Sequence, residues 1–403
     1  MLTALLILAA FCALGLTCRF PALACALWVL ALETSPDIWL GRLIGGHEAI
    51  IAAMKAFGLL LAAVLALRAG LKKDRYNPAF AFFLMFCAGL MHGLYPGLSL
   101  PSSTRSLLGS AAPFLFGFLR LPEPVMRAVK HAAILAPSVT VGFGLVLALA
   151  GLGQMYEIEQ GALRLGASGE APFLAGFALI GLYAALMEFL ARRESFYLGL
   201  ASLNLIIILC TGARGPLLLG VALTMAVLAR QGYLLLLAAL GAVLSLTVMF
   251  SPDLTMFRVI DLAQLGEANS LSNRDLVWPY FQHAFATSPL FGWGLGAGKV
   301  ILPLASPLAT EIGTNAAHNE YLRIGAEGGA LGLGALLMSL WLWVQRGSAA
   351  LAPEPRWFMR LVFCAFAVHS VTDNTLIATT SSVFFLWVSA VFATAPDPTK
   401  PAA

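Results

Sequence analysis

The sequence contains few charged residues. Asp, Glu, Lys and Arg make up 11% of the 403 residues, whereas hydrophobic residues make up 60%, and the mean hydropathy is +0.87. A soluble globular protein carries roughly 25% charged residues, so this deficit excludes that class. Apolar runs of about 17 to 25 residues, the length that crosses a bilayer as a helix, recur from end to end. We therefore predict an all-α polytopic membrane protein that forms one membrane domain.

Clustered cysteines and basic stripes are also lacking. The six cysteines are scattered through apolar segments, with no C-x-x-C pair and no histidine cluster, which argues against a disulfide framework and a zinc site. The net charge of +4 is not gathered into a basic stripe, so nothing indicates nucleic acid binding. No basic stretch precedes the first apolar run, residues 1–16, and we predict a retained span there rather than a cleaved signal peptide.

The charges lie mainly in connections between apolar runs, and their signs alternate along the chain. By the positive-inside rule, the basic connections lie in the cytoplasm and the acidic or neutral ones on the other side. The basic connections are 68–77, 120–130, 191–195, 229–232 and 346–360. The predicted spans are 49–67, 78–94, 106–119, 131–152, 172–190, 196–211, 216–229, 233–250, 319–344, 358–371 and 376–394. Residues 1–34 add a hairpin or a broken span, and 106–119 is a span or a re-entrant segment, so we predict about 12 transmembrane helices.

One connection, residues 251–318, is much longer than the others. Loops of this length are usually functional or disordered. This loop is rich in aromatic residues, and apolar residues follow Ser272 and Asn273 near helical spacing. We therefore predict a large, folded, partly helical loop on the non-cytoplasmic face. It divides the membrane domain into N-terminal helices, residues 1–250, and C-terminal helices, residues 319–395.

A histidine stands where this loop meets the next predicted helix. His318 precedes a helix beginning near Asn319, and Leu322, Gly325, Gly329 and Gly332 follow on its face, a stripe along which other helices can pack closely. A neutral imidazole accepts a proton from a hydroxyl near neutral pH, as a general base does. The alternative is a histidine that caps the helix or lies at the membrane interface.

The same helix carries charges in its first turns. Arg323 lies three residues after Glu320 and four before Glu327, so the three side chains can pair within the helix.

Two arginines lie on the same predicted face as His318. Arg214 falls in a short turn between two apolar runs, where a cation is costly unless an anion pairs with it. Arg274 lies in the first turn of the predicted loop helix, beside Asp275. Arg214 could instead snorkel to headgroups, and Arg274 could form a solvated ion pair. Together with His318 they indicate a site for a diphosphate or a similar anion with a proton acceptor nearby.

Three motifs in this region occur in an order that resembles the O-antigen ligase and O-antigen polymerase family of bacterial envelopes. They are "TGARGPLLLG", with its Ala-Arg-Gly turn, "NRDLVWPYFQHAFATSPLFGWGLGAG", with Arg-x-x-x-Trp and Pro-x-x-Gly-x-Gly, and "AHNEYLRIGAEGGALG", with His-Asn-x-x-Leu followed by Glu, Gly and Gly. The resemblance covers about residues 205–335, and the N-terminal half matches only as generic multi-span sequence.

The resemblance implies an enzyme of the bacterial inner membrane whose site faces the periplasm. It would transfer a glycan from undecaprenyl diphosphate to an acceptor hydroxyl, without a cofactor or a metal. Arg214 and Arg274 would hold the diphosphate, and His318 would activate the acceptor. A sugar diphosphate already has a good leaving group, and two guanidiniums neutralise its growing charge. No DxD-like metal motif lies in the outer connections. A direct displacement would invert the anomeric centre.

Further residues are weaker candidates. Asn319 and Tyr321 could orient His318 or bind sugar, although Asn319 could equally be a helix cap. Arg164 resembles a loop arginine of some relatives, with a role in donor binding. Asp373 and His369 lie near the outer end of a later span and could act in the site or pair with each other.

The acceptor is open at this point. It could be lipid A core, as in a ligase, another glycan repeat, as in a polymerase, or a protein hydroxyl, as in an O-oligosaccharyltransferase. The first is marginally favoured. A transporter or flippase for an anionic substrate is a different class, which predicts inverted repeats, broken helices near the midplane and charges at bilayer depth. The charges here gather at one predicted face instead.

Overall fold

The computed structural model describes residues 12–159, 162–250 and 276–394. These residues are mostly helical, which confirms the all-α prediction. Arg274, Ser272 and Asn273 lie outside the described residues, as does most of the first half of the predicted loop.

The first half of the chain is a series of helices joined by short turns. They are α1 (12–19), α2 (Pro21–Glu33), α3 (Pro36–Ile44), α4 (His47–Ala69), α5 (Ala79–His92), α6 (Leu100–Ala111), a 3₁₀ helix (Ala112–Phe118) and α7 (Glu123–Leu149). The predicted span 106–119 is thus divided between α6 and the 3₁₀ helix, whose second residue is Pro113. Proline lacks the N–H that would continue the α-helical ladder.

The second half adds a small β-hairpin to the helices. The elements are β1 (Tyr156–Glu159), β2 (Ala162–Leu165), α8 (Ala171–Arg192), α9 (Phe196–Thr211), α10 (Arg214–Arg230), α11 (Leu234–Phe250), α12 (Trp278–Thr287), α13 (Pro307–Ile312), α14 (Glu320–Ser348), α15 (Pro353–His369) and α16 (Thr379–Ala393). The two strands pair antiparallel, with Glu157 opposite Arg164. The sequence did not predict this hairpin.

Several of the helices have the length and composition of membrane spans. Among the described residues, the helices that are long and apolar enough are α4, α7, α8 and α14. The pair α2 and α3, bent by 70°, makes a further candidate. Shorter apolar helices are α5, α9, α16 and residues 234–243. The chain is therefore a helical membrane protein, and the total of about 12 spans stays a prediction.

Helix α8 lies at the centre of the bundle. It packs against α7, α9, α10, α15 and α16, so its side chains are buried on all sides from Leu174 to Leu190. A helix that is apolar all round is stable in such a position. The other elements are arranged around α8, with the hairpin against the end of α9.

Helix α14 is not continuous, in contrast to the predicted unbroken span. Gly329 has φ 60° and ψ −168°, which interrupts the helix. The loop segment 289–294 supplies the missing partners. Trp293 and Gly294 donate their N–H groups to the carbonyls of Ala326 and Glu327 at 2.9 and 2.8 Å.

The loop segment also provides hydrogen-bond acceptors for the N–H groups that follow the break. The N–H groups of Ala330 and Leu331 donate to the carbonyls of Pro289 and Leu290, at 2.7 and 3.1 Å. In an unbroken helix these N–H groups would bond to Ala326 and Glu327. A bilayer offers no water to unpaired backbone groups, so a break in a span requires such replacement partners. The Pro-x-x-Gly-x-Gly motif therefore docks into the Glu-Gly-Gly motif.

The glycines at this junction leave no room for a side chain. A Cβ on Gly329 would lie 2.3 Å from the backbone of Leu290, and a Cβ on Gly292 would lie 2.5 Å from the backbone between Glu327 and Gly329. The predicted small-residue face is confirmed nearby, because Gly332 packs against Met85 of α5.

We expect Gly292→Ala and Gly329→Ala to destabilise the protein by about 1–3 kcal/mol or more, because both residues combine a positive φ with contacts to backbone. Gly334→Ala is the matched control, since it lies in the same helix and a Cβ there meets nothing within 4 Å. The measurement is the apparent melting temperature of the purified protein in detergent. Equal melting temperatures for Gly329→Ala and Gly334→Ala would contradict the docking of segment 289–294 into the break of α14.

Candidate functional site

His318 lies directly before α14, in a left-handed backbone conformation with φ 46°. The capping function belongs to its neighbour, because Asn319 Oδ1 accepts a hydrogen bond from the N–H of Leu322 at 3.1 Å. The capping role considered for Asn319 is confirmed, and the imidazole of His318 has other contacts. A non-glycine residue in this conformation is uncommon and is found often at functional sites.

Both ring nitrogens of His318 have polar neighbours. Nδ1 lies 3.3 Å from the side-chain nitrogen, Nδ2, of Asn374 and 3.8 Å from Oδ1 of Asp373. Nε2 lies 3.4 Å from the hydroxyl of Thr314. Among the described residues the buried Oδ1 of Asn374 has no hydrogen-bond partner; with the amide turned so that this oxygen faces the ring, it and the Asp373 carboxylate both favour a proton on Nδ1 and leave a lone pair on Nε2. The Nε2 side, where Thr314 lies, is then the side that accepts a proton.

Asp373 connects His318 to a second histidine. Its Oδ2 lies 3.4 Å from Nε2 of His369, at the end of α15. Burial raises the pKa of the Asp373 carboxyl, but the neighbouring imidazoles of His318 and His369 outweigh it and lower the pKa below its ordinary value. Asp373 is therefore a carboxylate at neutral pH, able to orient a histidine and to stabilise its protonated form.

The turn that carries Arg214 lies beside His369. A Cβ added to Gly215 would lie 3.9 Å from the His369 ring and from Thr372, so the start of α10 touches the α15–α16 connection. On the other side of this turn, Arg164 is buried and donates from Nε to the carbonyl of Thr211 at 2.8 Å. The structure thus brings Arg164, the Arg214 turn and the His318 segment into one region.

Tyr321 occupies a different place. Its hydroxyl donates to the carbonyl of Ala367 at 2.9 Å, which joins α14 to α15. Tyr321 lines a mostly apolar cavity of about 320 Å³ between these helices. It is not among the residues that contact the His318 ring.

A buried ionic triad lies under His318. Arg323 Nε donates to Glu320 at 2.7 Å and Nη1 donates to Glu327 at 2.8 Å, which confirms the pairing predicted from their spacing. The carboxylates also reach other segments. Glu320 Oε1 accepts the N–H of Leu376 at 2.9 Å, and Glu327 Oε1 accepts that of Gly298 at 3.2 Å. The triad therefore fixes α14 to the loop and to the connection that carries Asp373.

The sequence missed Thr314 and gave Asp373 only a secondary place. Asp373 is far from His318 along the chain, and no motif links the two. Within the described part of the chain, no group of three or more His, Cys, Asp or Glu residues is placed to hold a metal ion. Independence from metal stays a prediction.

The fold and the site define a helical membrane protein with a histidine–aspartate pair, an arginine at the start of a helix, Arg214, and an arginine in the β-hairpin, Arg164. The family model described as O-antigen ligase matches residues 199–337, so this part of the chain is similar to the domain of that family. The match contains Arg214, the docked loop segment and His318, and it confirms the resemblance seen in the motifs. It supports a function of the O-antigen ligase and polymerase type. No curated protein matches the chain.

We expect Arg323→Met to destabilise the protein by about 3–5 kcal/mol, because it leaves two buried carboxylates without their cation. Arg230→Met is the control, since the Arg230–Glu354 pair lies at the surface, where ion pairs contribute little. Thermal unfolding in detergent measures both. A melting temperature of Arg323→Met equal to that of Arg230→Met would show that the triad does not hold α14 in place.

Proposed function

We propose that the protein transfers a glycan from an undecaprenyl diphosphate donor to an acceptor hydroxyl, with lipid A core as the acceptor. The observation that carries this proposal is the contact of His318 Nδ1 with Asp373 beside the Arg214 turn. It combines a proton acceptor with a cationic group in one region, as the transfer requires. The finer assignments of donor and acceptor rest on the family resemblance.

In the proposed reaction, the acceptor hydroxyl takes the position on the Nε2 side of His318, where Thr314 now lies. The hydroxyl oxygen forms a bond to the anomeric carbon, and its proton passes to Nε2. The bond from the anomeric carbon to the diphosphate oxygen breaks, and the diphosphate leaves with the electron pair. Because the oxygen attacks opposite the leaving group, the anomeric centre is inverted.

The arginines stabilise the charge on the departing diphosphate. Arg214 and Arg274 bind it directly, the latter on the strength of the motif alone. Arg164 supports the same role through its bond to Thr211, which braces the turn that carries Arg214. Asn319 caps α14 and so holds the backbone next to His318. Tyr321 joins α14 to α15. We assign these positioning roles to the two residues in place of the sugar contacts considered from the sequence.

The proposal includes the arrangement in the membrane. We assign about 12 transmembrane helices to the inner membrane, with residues 251–318 and the site on the periplasmic face. Helix α14, which begins just after His318, is long and apolar enough to span the membrane from that end, which supports a site at the membrane surface over the midplane site of a transporter.

We expect His318→Ala and His318→Asn to lower transfer about 10²- to 10⁴-fold, because both remove the general base. Asn tolerates the left-handed backbone at this position, so it separates loss of the imidazole from backbone effects. His283→Ala, at an exposed position of α12, is the control. The measurement is complementation of a strain that lacks its own ligase, followed by gel analysis of the glycan at matched expression.

The gel separates the possible acceptors. Long lipid-linked chains that never reach lipid A would indicate a ligase defect, and single-repeat products a polymerase defect. Full activity of His318→Ala and Arg214→Ala would show that the catalytic assignment is wrong.

We expect Asp373→Asn to lower transfer in the wild-type background but to have little further effect in His318→Ala. Asp373 acts through His318, so the two losses are not additive. The same complementation assay, calibrated with purified protein, gives the four rates of the cycle. Independent, multiplicative losses would contradict a shared role and would assign Asp373 to another step.

A further inference from the structure

A polar cavity of about 530 Å³ lies far from the His318 region. It is enclosed by the start of α7, the end of α8 and the residue after α16. Arg192, at the end of α8, precedes α9, whereas Thr211 of the His318 region ends α9, so the two sites lie at opposite ends of that helix. The charged and titratable residues that line the cavity are Glu123, Arg127, Lys130, His131, Glu188 and Arg192.

A buried carboxylate organises the cations of this cavity. Glu188 has a side chain only 5% exposed, and its two oxygens lie 3.3 Å from Lys130 Nζ and 2.7 Å from Arg192 Nε. One carboxylate thus holds two cations side by side. Arg127 pairs with Glu123 at the rim, so three permanent cations face two carboxylates. The cavity has a positive excess and attracts an anion with about one negative charge.

The surface of α7 below the cavity is apolar and exposed. From Arg127, the positions His131, Leu135 and Val139 follow at intervals of four residues on one face of the helix. Leu135 and Val139 are 44% and 47% exposed, and Val146, further along the same face, is 59% exposed. A cationic head above an exposed apolar stripe on a membrane-spanning helix matches the shape and polarity of a phospholipid.

We propose that this cavity and the stripe below it bind an anionic phospholipid. Its phosphodiester lies among Arg127, Lys130 and Arg192, and its acyl chains lie along Leu135, Val139 and Val146. Basic pockets between transmembrane helices bind acidic headgroups in this way. A phosphodiester suits the excess charge of the cavity, and Glu188 holds Lys130 and Arg192 ready before the lipid arrives.

The test titrates lipid into the purified full-length protein in detergent and follows the apparent melting temperature. The probes are phosphatidylglycerol, phosphatidylcholine and inorganic phosphate. We expect phosphatidylglycerol alone to raise the melting temperature at low concentration. Arg127→Gln should require about fivefold more phosphatidylglycerol, the effect of one cation near an acidic lipid. Lys130→Gln should weaken binding in the same direction.

Arg230→Gln is the matched control, because it removes a surface cation paired with Glu354 outside the cavity. It should titrate like the wild type. Equal effects of phosphatidylglycerol and phosphatidylcholine would overturn the proposal, as would an equal loss in Arg230→Gln and Arg127→Gln. A shift reproduced by inorganic phosphate would assign the cavity to a free anion and also overturn it. The readout does not depend on glycan transfer.

Discussion

Four backbone hydrogen bonds between the loop segment 289–294 and the break in α14 determine where the site residues stand. A helix interrupted inside a membrane must find partners for its freed N–H and C=O groups, and the loop provides all four. The loop is thereby held against α14 below His318. Gly292 and Gly329 make this contact possible. Both have a positive φ, and both lie so close to the opposite backbone that a Cβ would not fit.

The buried triad extends this constraint to the other half of the site. Arg323 links Glu320 and Glu327, and these carboxylates reach Leu376 and Gly298 through backbone N–H groups. Burying three charges costs free energy, but each charge here has partners, so the network fixes a geometry. The connection that carries Asp373 is therefore bonded to the start of the helix that follows His318.

Local features of this molecule could be predicted from the sequence, and contacts between distant segments could not. The Arg323 pairing follows from spacing within one helix, and the small face of α14 follows from its glycines. The break at Gly329 was missed because a glycine in an apolar run reads equally as a packing residue. The hairpin at Arg164 has only four residues per strand, too few for a clear alternation. The contact of His318 with Asp373 depends on how α14 meets α15, which no local pattern records.

The left-handed backbone at position 318 sets the stability of the protein against its proposed catalytic function. A histidine with φ 46° carries a local conformational cost of about 1–3 kcal/mol, which the Asn319 cap and the surrounding packing sustain. Glycine would relieve that cost and asparagine would reduce it, yet neither can accept a proton as imidazole does. A higher free energy of unfolding therefore favours glycine or asparagine at position 318, whereas the proposed catalysis requires histidine. Selection for stability alone would remove the imidazole on which transfer depends.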